Sequence, residues 1–212
     1  MDNPQIAKWN ARYAGGRHTA AAEPIPLLTA AIADVPPGRA LDLGCGTGPH
    51  AIRLAESGWQ VDAVDGAAAG IELLLARAGR AGCRERIRAH VADLEADPPA
   101  FVIAEGAYDL IVDCFFLHRP LFTAVRRGVR PGGLLVAALH LPAPGAQRGH
   151  RYVLQPGELE KLVTGWGWTL LHSEERGPSE GASDHGLGVA EIVARRPQAA
   201  AARRETARPQ SR

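Results

Sequence analysis

The sequence predicts an α/β fold built on a doubly wound, mostly parallel sheet with helices on both faces. Short and almost continuously apolar segments alternate over residues 40–139 with segments whose apolar residues recur at helical spacing. Strands without polar alternation are buried on both faces, which is typical of a parallel sheet. A glycine-rich loop, Gly44-Cys45-Gly46-Thr47-Gly48, follows the first apolar segment, and such a loop commonly joins the first strand of this architecture to its helix.

Local signals place the ends of several elements. Pro49 suits the first turn of a helix, Gly58 suits its end, and Pro36-Pro37-Gly38 separates two opening helices from the first strand. The strands predicted in this way are residues 40–43, 59–64, 87–91, 108–116 and 134–139. The helices predicted are residues 4–13, 24–34, 49–56, about 71–78 and 121–129.

The last third of the chain has a different rhythm. A helix is predicted over residues 157–163, and residues 168–172 and 189–193 are predicted to form an antiparallel pair of strands that closes the sheet. Residues 198–212 are rich in Ala and Arg and have no periodicity, so we expect a disordered tail.

Composition narrows the classes of protein that fit. Of the 212 residues, 46% are hydrophobic and 22% charged, which suits one globular domain with short additions. A formal net charge of +1 gives no electrostatic reason to expect nucleic acid as a partner. The three cysteines, Cys45, Cys83 and Cys114, have neither the number nor the spacing of a disulfide framework or a zinc site, so no metal is expected. Because no signal peptide or membrane-spanning segment is recognisable, we expect a cytoplasmic protein that does not bind membranes.

The glycine-rich loop and the carboxylates around it predict a nucleoside ligand. Ligands of open parallel sheets bind outside the carboxyl ends of the strands, where glycines let them approach the backbone closely. A dinucleotide fingerprint would have a third glycine where this chain has Pro49. Asp42, two residues before the loop, would repel a pyrophosphate but suits the ammonium of a methionine moiety. Asp65, after the second strand, can accept hydrogen bonds from both hydroxyls of a ribose, which fits either ligand.

Residues 41–48 resemble the first motif of the class I S-adenosylmethionine-dependent methyltransferases. The resemblance continues in order along the domain, through residues 61–65, 92–94, 108–113 and 130–136. It implies a Rossmann-like sheet of seven strands, with an order that begins 3-2-1-4-5 and a last pair that is antiparallel. It also implies S-adenosylmethionine as the cofactor and methyl transfer as the reaction.

Within this superfamily, the two ends of the domain resemble the tellurite-resistance and thiopurine methyltransferase type. Residues 9–13 look like the opening signature of that type. The closing segments of that type are resembled by residues 155–159, 165–166, 174–175 and 190–195. The opening helix of that type lies over the cofactor. The resemblance therefore implies a helical lid over residues 1–35 and a methyltransferase domain over residues 36–197. Residues 66–69, however, lack the bulky apolar side chain that usually borders the adenine.

The cofactor-binding residues predicted from the motifs lie in the lid, in the glycine-rich loop and at the ends of strands two, three and four. They are Trp9, Tyr13, Asp42, Gly44, Cys45, Gly46, Gly48, Asp65, Gly66, Asp93, Leu94 and Asp113. Asp113 suits the methionine end of the cofactor, a wall of the acceptor pocket or a cap at the end of its strand. Trp9 and Tyr13 share one helical face, which also fits ordinary packing on the sheet.

The residues after the fourth strand predict the acceptor side of the site. Phe115, His118 and Arg119 follow Asp113 directly. His118 could remove a proton near neutral pH, and Arg119 would favour an anionic or electron-rich acceptor, so these two are the catalytic candidates. The short insertions favour a small-molecule acceptor, and we expect a monomer or a homodimer. The alternatives are a dinucleotide-dependent oxidoreductase on the same fold and a non-catalytic protein that binds S-adenosylmethionine.

Overall fold

A computed structural model describes residues 3–16, 23–142, 151–178 and 187–198, which form a seven-stranded sheet flanked by helices. The strands are β1 (Arg39–Leu43), β2 (Gln60–Asp65), β3 (Ile87–Val91), β4 (Tyr108–Cys114), β5 (Val129–Leu141), β6 (Thr169–Arg176) and β7 (Gly188–Arg195). The helices are α1 (Pro4–Ala14), α2 (Pro26–Ile32), α3 (Pro49–Glu56), α4 (Ala68–Arg80), α5 (Phe122–Gly128) and α6 (Glu158–Gly165). Short 3₁₀ turns cover Arg84–Arg86 and Arg119–Leu121.

The strand order is β3-β2-β1-β4-β5-β7-β6. The first five strands pair in parallel, and β7 pairs antiparallel with both β5 and β6. This topology confirms the predicted doubly wound sheet with its antiparallel closing pair. The order reverses between β1 and β4, and ligands of such sheets bind in the crevice at that reversal. The loop after β1 and the turn after β4 therefore meet where a ligand is expected.

Apolar clusters cover both faces of the sheet. On one face, α2, α3 and α4 contribute Leu28, Leu54 and Leu74, which are fully buried. On the other face, α5 and α6 contribute Phe122 and Val163. The continuous apolar strands of the sequence are explained by this double covering, since successive side chains of one strand enter opposite clusters.

Strand β5 differs from its prediction. The sequence predicted a strand over residues 134–139 after a sharp turn, whereas β5 begins at Val129. Tyr108 of β4 pairs with Val129 and Leu110 pairs with Leu134, so the ladder between them changes register. The residues between, Arg130-Pro131-Gly132-Gly133, are taken up in this irregularity, because a bulge lets extra residues oppose a shorter partner strand.

The two opening helices pack differently. Helix α2 buries Leu28 and Ile32 in the core, whereas α1 has no buried residue among its eleven and packs on α4. The predicted lid over residues 1–35 stays a prediction, and α1 is the part that lies on the surface of the domain. Except for Gln198, the predicted tail lies outside the described residues. Among the described helices, none combines the length and apolar character needed to cross a bilayer.

Candidate active site

The glycine-rich loop turns sharply between β1 and α3. Gly44 and Gly46 have φ angles of 63° and 52°, in the left-handed region that favours glycine. A Cβ on Gly44 would lie 2.5 Å from the Cβ of Phe116, so this glycine lets the turn after β4 approach the loop. Cys45 between them is buried, and burial raises the pKa of its thiol, as expected for a small packing residue.

Asp65 holds the loop from the end of β2. Its two carboxylate oxygens accept hydrogen bonds from the backbone N–H groups of Gly46 and Ala67, each at 2.8 Å. Burial raises the pKa of the Asp65 carboxyl, and these two bonds oppose that rise. A carboxylate has about four lone-pair sites, so Asp65 can still accept hydrogen bonds from ribose hydroxyls as the sequence predicted.

Two further carboxyl groups are buried where β1 and β4 end. Asp42 and Asp113 are 1% and 2% exposed. Burial raises the pKa of Asp42 to about 8, although a hydrogen bond that the carboxylate accepts from the backbone N–H of Ala51 opposes the rise. The pKa of Asp113 is also raised, chiefly by burial and then by the charge of Asp42, while the backbone of Phe116 hydrogen-bonds to it. The hydrogen bond with Phe116 fits a cap at the end of the strand, and the role of Asp113 in cofactor binding stays a prediction.

The same two carboxyl groups offer acceptors for a cationic ligand. Within the described part of the chain, the Oδ2 atom of Asp42 and the Oδ1 atom of Asp113 are buried without a hydrogen-bond partner. Buried polar atoms in native proteins nearly always have a partner, so each such atom calls for an explanation. An ammonium group would supply both donors and a compensating charge. These residues thus fit the amino-acid end of S-adenosylmethionine.

Helix α1 covers the glycine-rich loop. A Cβ on Gly46 would lie 2.8 Å from the hydroxyl of Tyr13, and a Cβ on Gly66 would collide with Ile6. The rings of Trp9 and Tyr13 are stacked, with their centroids 5.6 Å apart. Burial, together with the charge of Asp65, raises the pKa of the Tyr13 hydroxyl, so it remains protonated beside the loop. Tyr13 therefore lies beside the glycine-rich loop, while Trp9 stacks on Tyr13 and is 37% exposed, and a cofactor contact of Trp9 stays a prediction.

Two residues that the sequence did not single out fix α1 in place. Asn10 accepts a hydrogen bond from the N–H of Ala69 at 2.9 Å, at the start of α4. Ile6 packs on Gly66, at the start of the segment 66–69 that has no bulky apolar side chain. Nothing in the sequence indicated that Ile6 would have Gly66 as its partner.

The segment after β3 is tied to the start of α1. Asp93 accepts hydrogen bonds from the side chain of Asn3 at 3.2 Å and from the N–H of Glu95 at 2.8 Å. Leu94 is 7% exposed and packs in the core. Asn3 also caps α1 by accepting from the N–H of Gln5. An Asn directly before Pro4 is a common helix start, which is the signal that could have identified Asn3.

The turn after β4 forms the other wall. Phe115 has a φ of 63°, the one positive value at a non-glycine position of the described residues, and is 46% exposed. Its N–H donates to the carbonyl of Ala138 at 2.8 Å, and its ring lies 4.9 Å from the ring of His140. The Nδ1 atom of His118 lies 3.8 Å from a carboxylate oxygen of Glu95. Phe115 and His118 are thus on the predicted side, and Glu95 and His140 join them.

The guanidinium of Arg119 donates hydrogen bonds to other residues of the protein. Its Nε and Nη2 atoms donate to both oxygens of Glu158, at 2.6 and 2.8 Å. It also donates to the carbonyls of Arg151 and Val153. Because one carboxylate neutralises this guanidinium, the geometry favours a role in holding residues 151–158, and a catalytic role for Arg119 stays a prediction.

Comparison with known proteins identifies the domain. Residues 40–133 match the family model described as a methyltransferase domain. Over this segment the chain has the pattern of a methyltransferase domain. The matched segment contains the glycine-rich loop, Asp65 and the turn after β4, so the match includes the candidate site. This result decides between methyltransferase and dinucleotide-dependent oxidoreductase in favour of the first.

Solved structures agree on the fold of this methyltransferase. TehB from Haemophilus influenzae is 20% identical with a TM-score of 0.68, and the match covers 88% of this chain and 67% of TehB. A 1,6-didemethyltoxoflavin-N1-methyltransferase from Burkholderia thailandensis is 21% identical with a TM-score of 0.66, over 93% and 92% of the two chains. An S-adenosylmethionine-dependent methyltransferase from Mesorhizobium loti is 23% identical with a TM-score of 0.60, over 81% and 96%. No curated protein sequence matches the chain.

One group of possible metal ligands lies apart from the glycine-rich loop of the methyltransferase. His172, Glu174 and Glu191 on β6 and β7 have ligand atoms within 4.8 Å of one another. Arg176 contacts both carboxylates, at 3.5 Å from Glu174 and 2.6 Å from Glu191. The guanidinium compensates the two negative charges, which would otherwise repel each other as a directly opposed cross-strand pair.

Proposed function

We propose that this methyltransferase transfers the methyl group of S-adenosylmethionine to a small-molecule acceptor that approaches at the end of β4. The conformation of Phe115 carries the proposal. A non-glycine residue in the left-handed region costs of the order of 1–3 kcal/mol, and such residues cluster at functional sites. Phe115 follows Asp113 by two positions and leaves nearly half of an aromatic side chain exposed, which suits a contact surface for an apolar acceptor.

The cofactor side of the site has a clear division of roles in this proposal. Bound S-adenosylmethionine supplies a methyl group on a sulfonium whose departure leaves a neutral thioether. Asp42 and Asp113 hold its ammonium, and Asp65 accepts hydrogen bonds from its ribose. Helix α1, with Tyr13 over the loop, acts as the lid that excludes water from the reacting atoms.

The acceptor side has a candidate proton acceptor. The imidazole of His118 faces Glu95, whose charge would stabilise the protonated ring after it takes a proton. Glu95 also accepts hydrogen bonds from Asn3 and Arg151 at 3.1 Å, so it links the lid, the acceptor wall and the loop before α6. Arg119 acts on this wall indirectly, by positioning residues 151–158.

The size of the acceptor is supported by a structural neighbour. The Burkholderia enzyme has been determined with 1,6-didemethyltoxoflavin and S-adenosylhomocysteine bound, and it matches this chain over almost the full length of both. An acceptor of comparable size would fit a site built from one loop and one turn. We propose a monomer or a homodimer, which light scattering on the purified protein would distinguish.

The test is an acceptor screen read out as formation of S-adenosylhomocysteine. We expect turnover with at least one small molecule, and in Phe115→Asn a raised acceptor KM with unchanged cofactor affinity, because Asn tolerates the left-handed backbone but removes the ring. Leu171→Ala is the matched control, since Leu171 is also half exposed but lies on edge strand β6. Tight cofactor binding without turnover on a broad panel would instead support a non-catalytic binding protein. Equal kinetics in both variants would refute the role of Phe115.

A further inference from the structure

A second cavity, of about 440 Å³, lies between α5, α6 and the end of β7. It is lined by three arginines, two tryptophans, a threonine and a proline: Arg126, Arg127, Arg196, Trp166, Trp168, Thr123 and Pro197. Its volume is in the usual range for small-molecule sites. It adjoins the first residue of β5 and the residues after β7. It therefore lies at the amino ends of the parallel strands, whereas the glycine-rich loop lies at their carboxyl ends. A ligand here would not compete with the cofactor.

The three arginines of this cavity have no acidic partner among the residues that the structure describes. No acidic side chain in the described ranges forms an ion pair with Arg126, Arg127 or Arg196, although six other arginines do so with nearby carboxylates. Three guanidinium groups around one cavity repel one another unless an anion compensates them. Their planar donor pattern matches the oxygens of a phosphate or carboxylate.

The local backbone holds one of these arginines rigidly. The N–H and carbonyl of Arg196 pair with Gly133 and Gly132, at 2.9 Å each. Its Nη1 atom donates to the carbonyls of residues 126 and 127 in the last turn of α5 and to the carbonyl of Val129 at the start of β5. Its Nε and Nη2 atoms donate to no described residue, so they can donate to a ligand. The arrangement is therefore preorganised on one side, which lowers the entropic cost of binding.

The remaining wall of the cavity is aromatic. The rings of Trp166 and Trp168 meet edge to face at 5.2 Å, and Trp166 also approaches Phe122. Trp168 is buried, whereas Trp166 is only partly covered. A cation-rich wall opposite an indole suits a ligand that combines an anionic group with an apolar ring, since the ring can contact the indole while the anion meets the guanidinium groups.

We propose that this cavity is a second binding site, separate from the methyl-transfer site, for a small organic phosphate that carries an aromatic ring. The arginines bind the phosphate oxygens and the tryptophans contact the ring. The proposal does not depend on the identity of the methyl acceptor.

Phenyl phosphate is a suitable probe, titrated by calorimetry with the cofactor site saturated with S-adenosylhomocysteine. We expect it to bind about tenfold more tightly than inorganic phosphate, because only phenyl phosphate can also contact Trp166. Arg127→Gln should weaken binding about tenfold by removing one charge-assisted contact. Phenol alone should not bind measurably, since it lacks the anion.

Arg80→Gln provides the matched control. Arg80 lies in the last turn of α4 as Arg127 lies in the last turn of α5, so both serve the helix dipole equally. We expect Arg80→Gln to leave phenyl phosphate affinity unchanged. If phenyl phosphate affinity fell equally in the two variants, the loss would be due to general surface charge, and the proposed binding site would be refuted. Equal affinity for inorganic phosphate and phenyl phosphate, or no binding of either, would overturn the proposed ligand class.

Discussion

Replacing Asp42 by Asn removes one buried ionisable group, and we expect opposite effects on the ligand-free protein and on cofactor binding. The carboxyl has an ordinary pKa of 3.8 and a pKa of about 8 in the folded protein. Between these two values the folded protein keeps a proton that the unfolded chain has lost. The free energy of unfolding therefore falls as pH rises from about 4 to about 8, and it levels off above that range. Asn at this position has no such dependence.

The size of this effect follows from the two pKa values. Ionisation of the unfolded chain favours unfolding of the wild-type protein by about 2 kcal/mol at pH 5 and by about 6 kcal/mol at pH 8.5, from the separation of the two pKa values. The advantage of Asp42→Asn should thus grow by at most about 4 kcal/mol between these pH values. For a chain of this length that corresponds to a relative rise in Tm of roughly 8–16 °C.

Cofactor affinity should change in the other direction. The ammonium of S-adenosylhomocysteine would lose a charge-assisted hydrogen bond to Asp42, which costs about 1.5–3 kcal/mol, or roughly tenfold to a hundredfold in Kd. Thermal melts at pH 5, 7 and 8.5 and calorimetric titrations measure both effects, with exposed Asp34→Asn as the control. A variant that is less stable at pH 8.5, or one that binds the ligand as tightly as wild type, would refute the reasoning.

Three further predictions concern the loop, the lid and the acceptor wall. Asp65→Ala should weaken S-adenosylhomocysteine binding about tenfold or more by calorimetry, because it removes ribose acceptors and frees the N–H of Gly46; unchanged affinity would remove Asp65 from the site. Bound cofactor should slow hydrogen exchange in residues 4–14 if α1 closes over it, whereas equal exchange with and without ligand would indicate permanent packing. Arg119→Gln should lower Tm by a few degrees through loss of its contacts with Glu158, with unchanged cofactor affinity. A large fall in turnover at unchanged Tm would instead make Arg119 a catalytic cation.

Elements with strong local signals were predicted closely. Helix α3 begins at Pro49 and ends at Glu56 as predicted, and β3 covers residues 87–91 as predicted. A proline at the first turn and an uninterrupted apolar strand are signals that a short window contains. The start of β5 at Val129 was missed because it depends on pairing with Tyr108, about twenty residues earlier, across Pro131 and two glycines that read locally as a turn.

The site was predictable to the same extent. The glycine-rich loop and Asp65 lie in short motifs, so their role in binding a ligand could be predicted from the sequence. In the structure, the N–H of Gly46 in the loop donates a hydrogen bond to Asp65. The residues that contact α1 and Arg119 could not be predicted from the sequence, because each contact joins segments far apart along the chain. Asn3 and Asp93 are separated by 90 residues, and Arg119 and Glu158 by 39. Neither pair has a periodic or compositional signal.

The buried carboxyl groups link cofactor binding to the stability of the domain. Asp42, Asp65 and Asp113 all have raised pKa values, each chiefly because of burial, so at neutral and higher pH their ionisation opposes folding. The apolar clusters on both faces of the sheet offset this cost in the ligand-free protein. An ammonium bound beside Asp42 and Asp113 would favour their charged forms and lower both pKa values. Stabilisation by the cofactor should therefore increase with pH for as long as that ammonium stays protonated, because the ligand then compensates charges that the fold alone leaves without a partner.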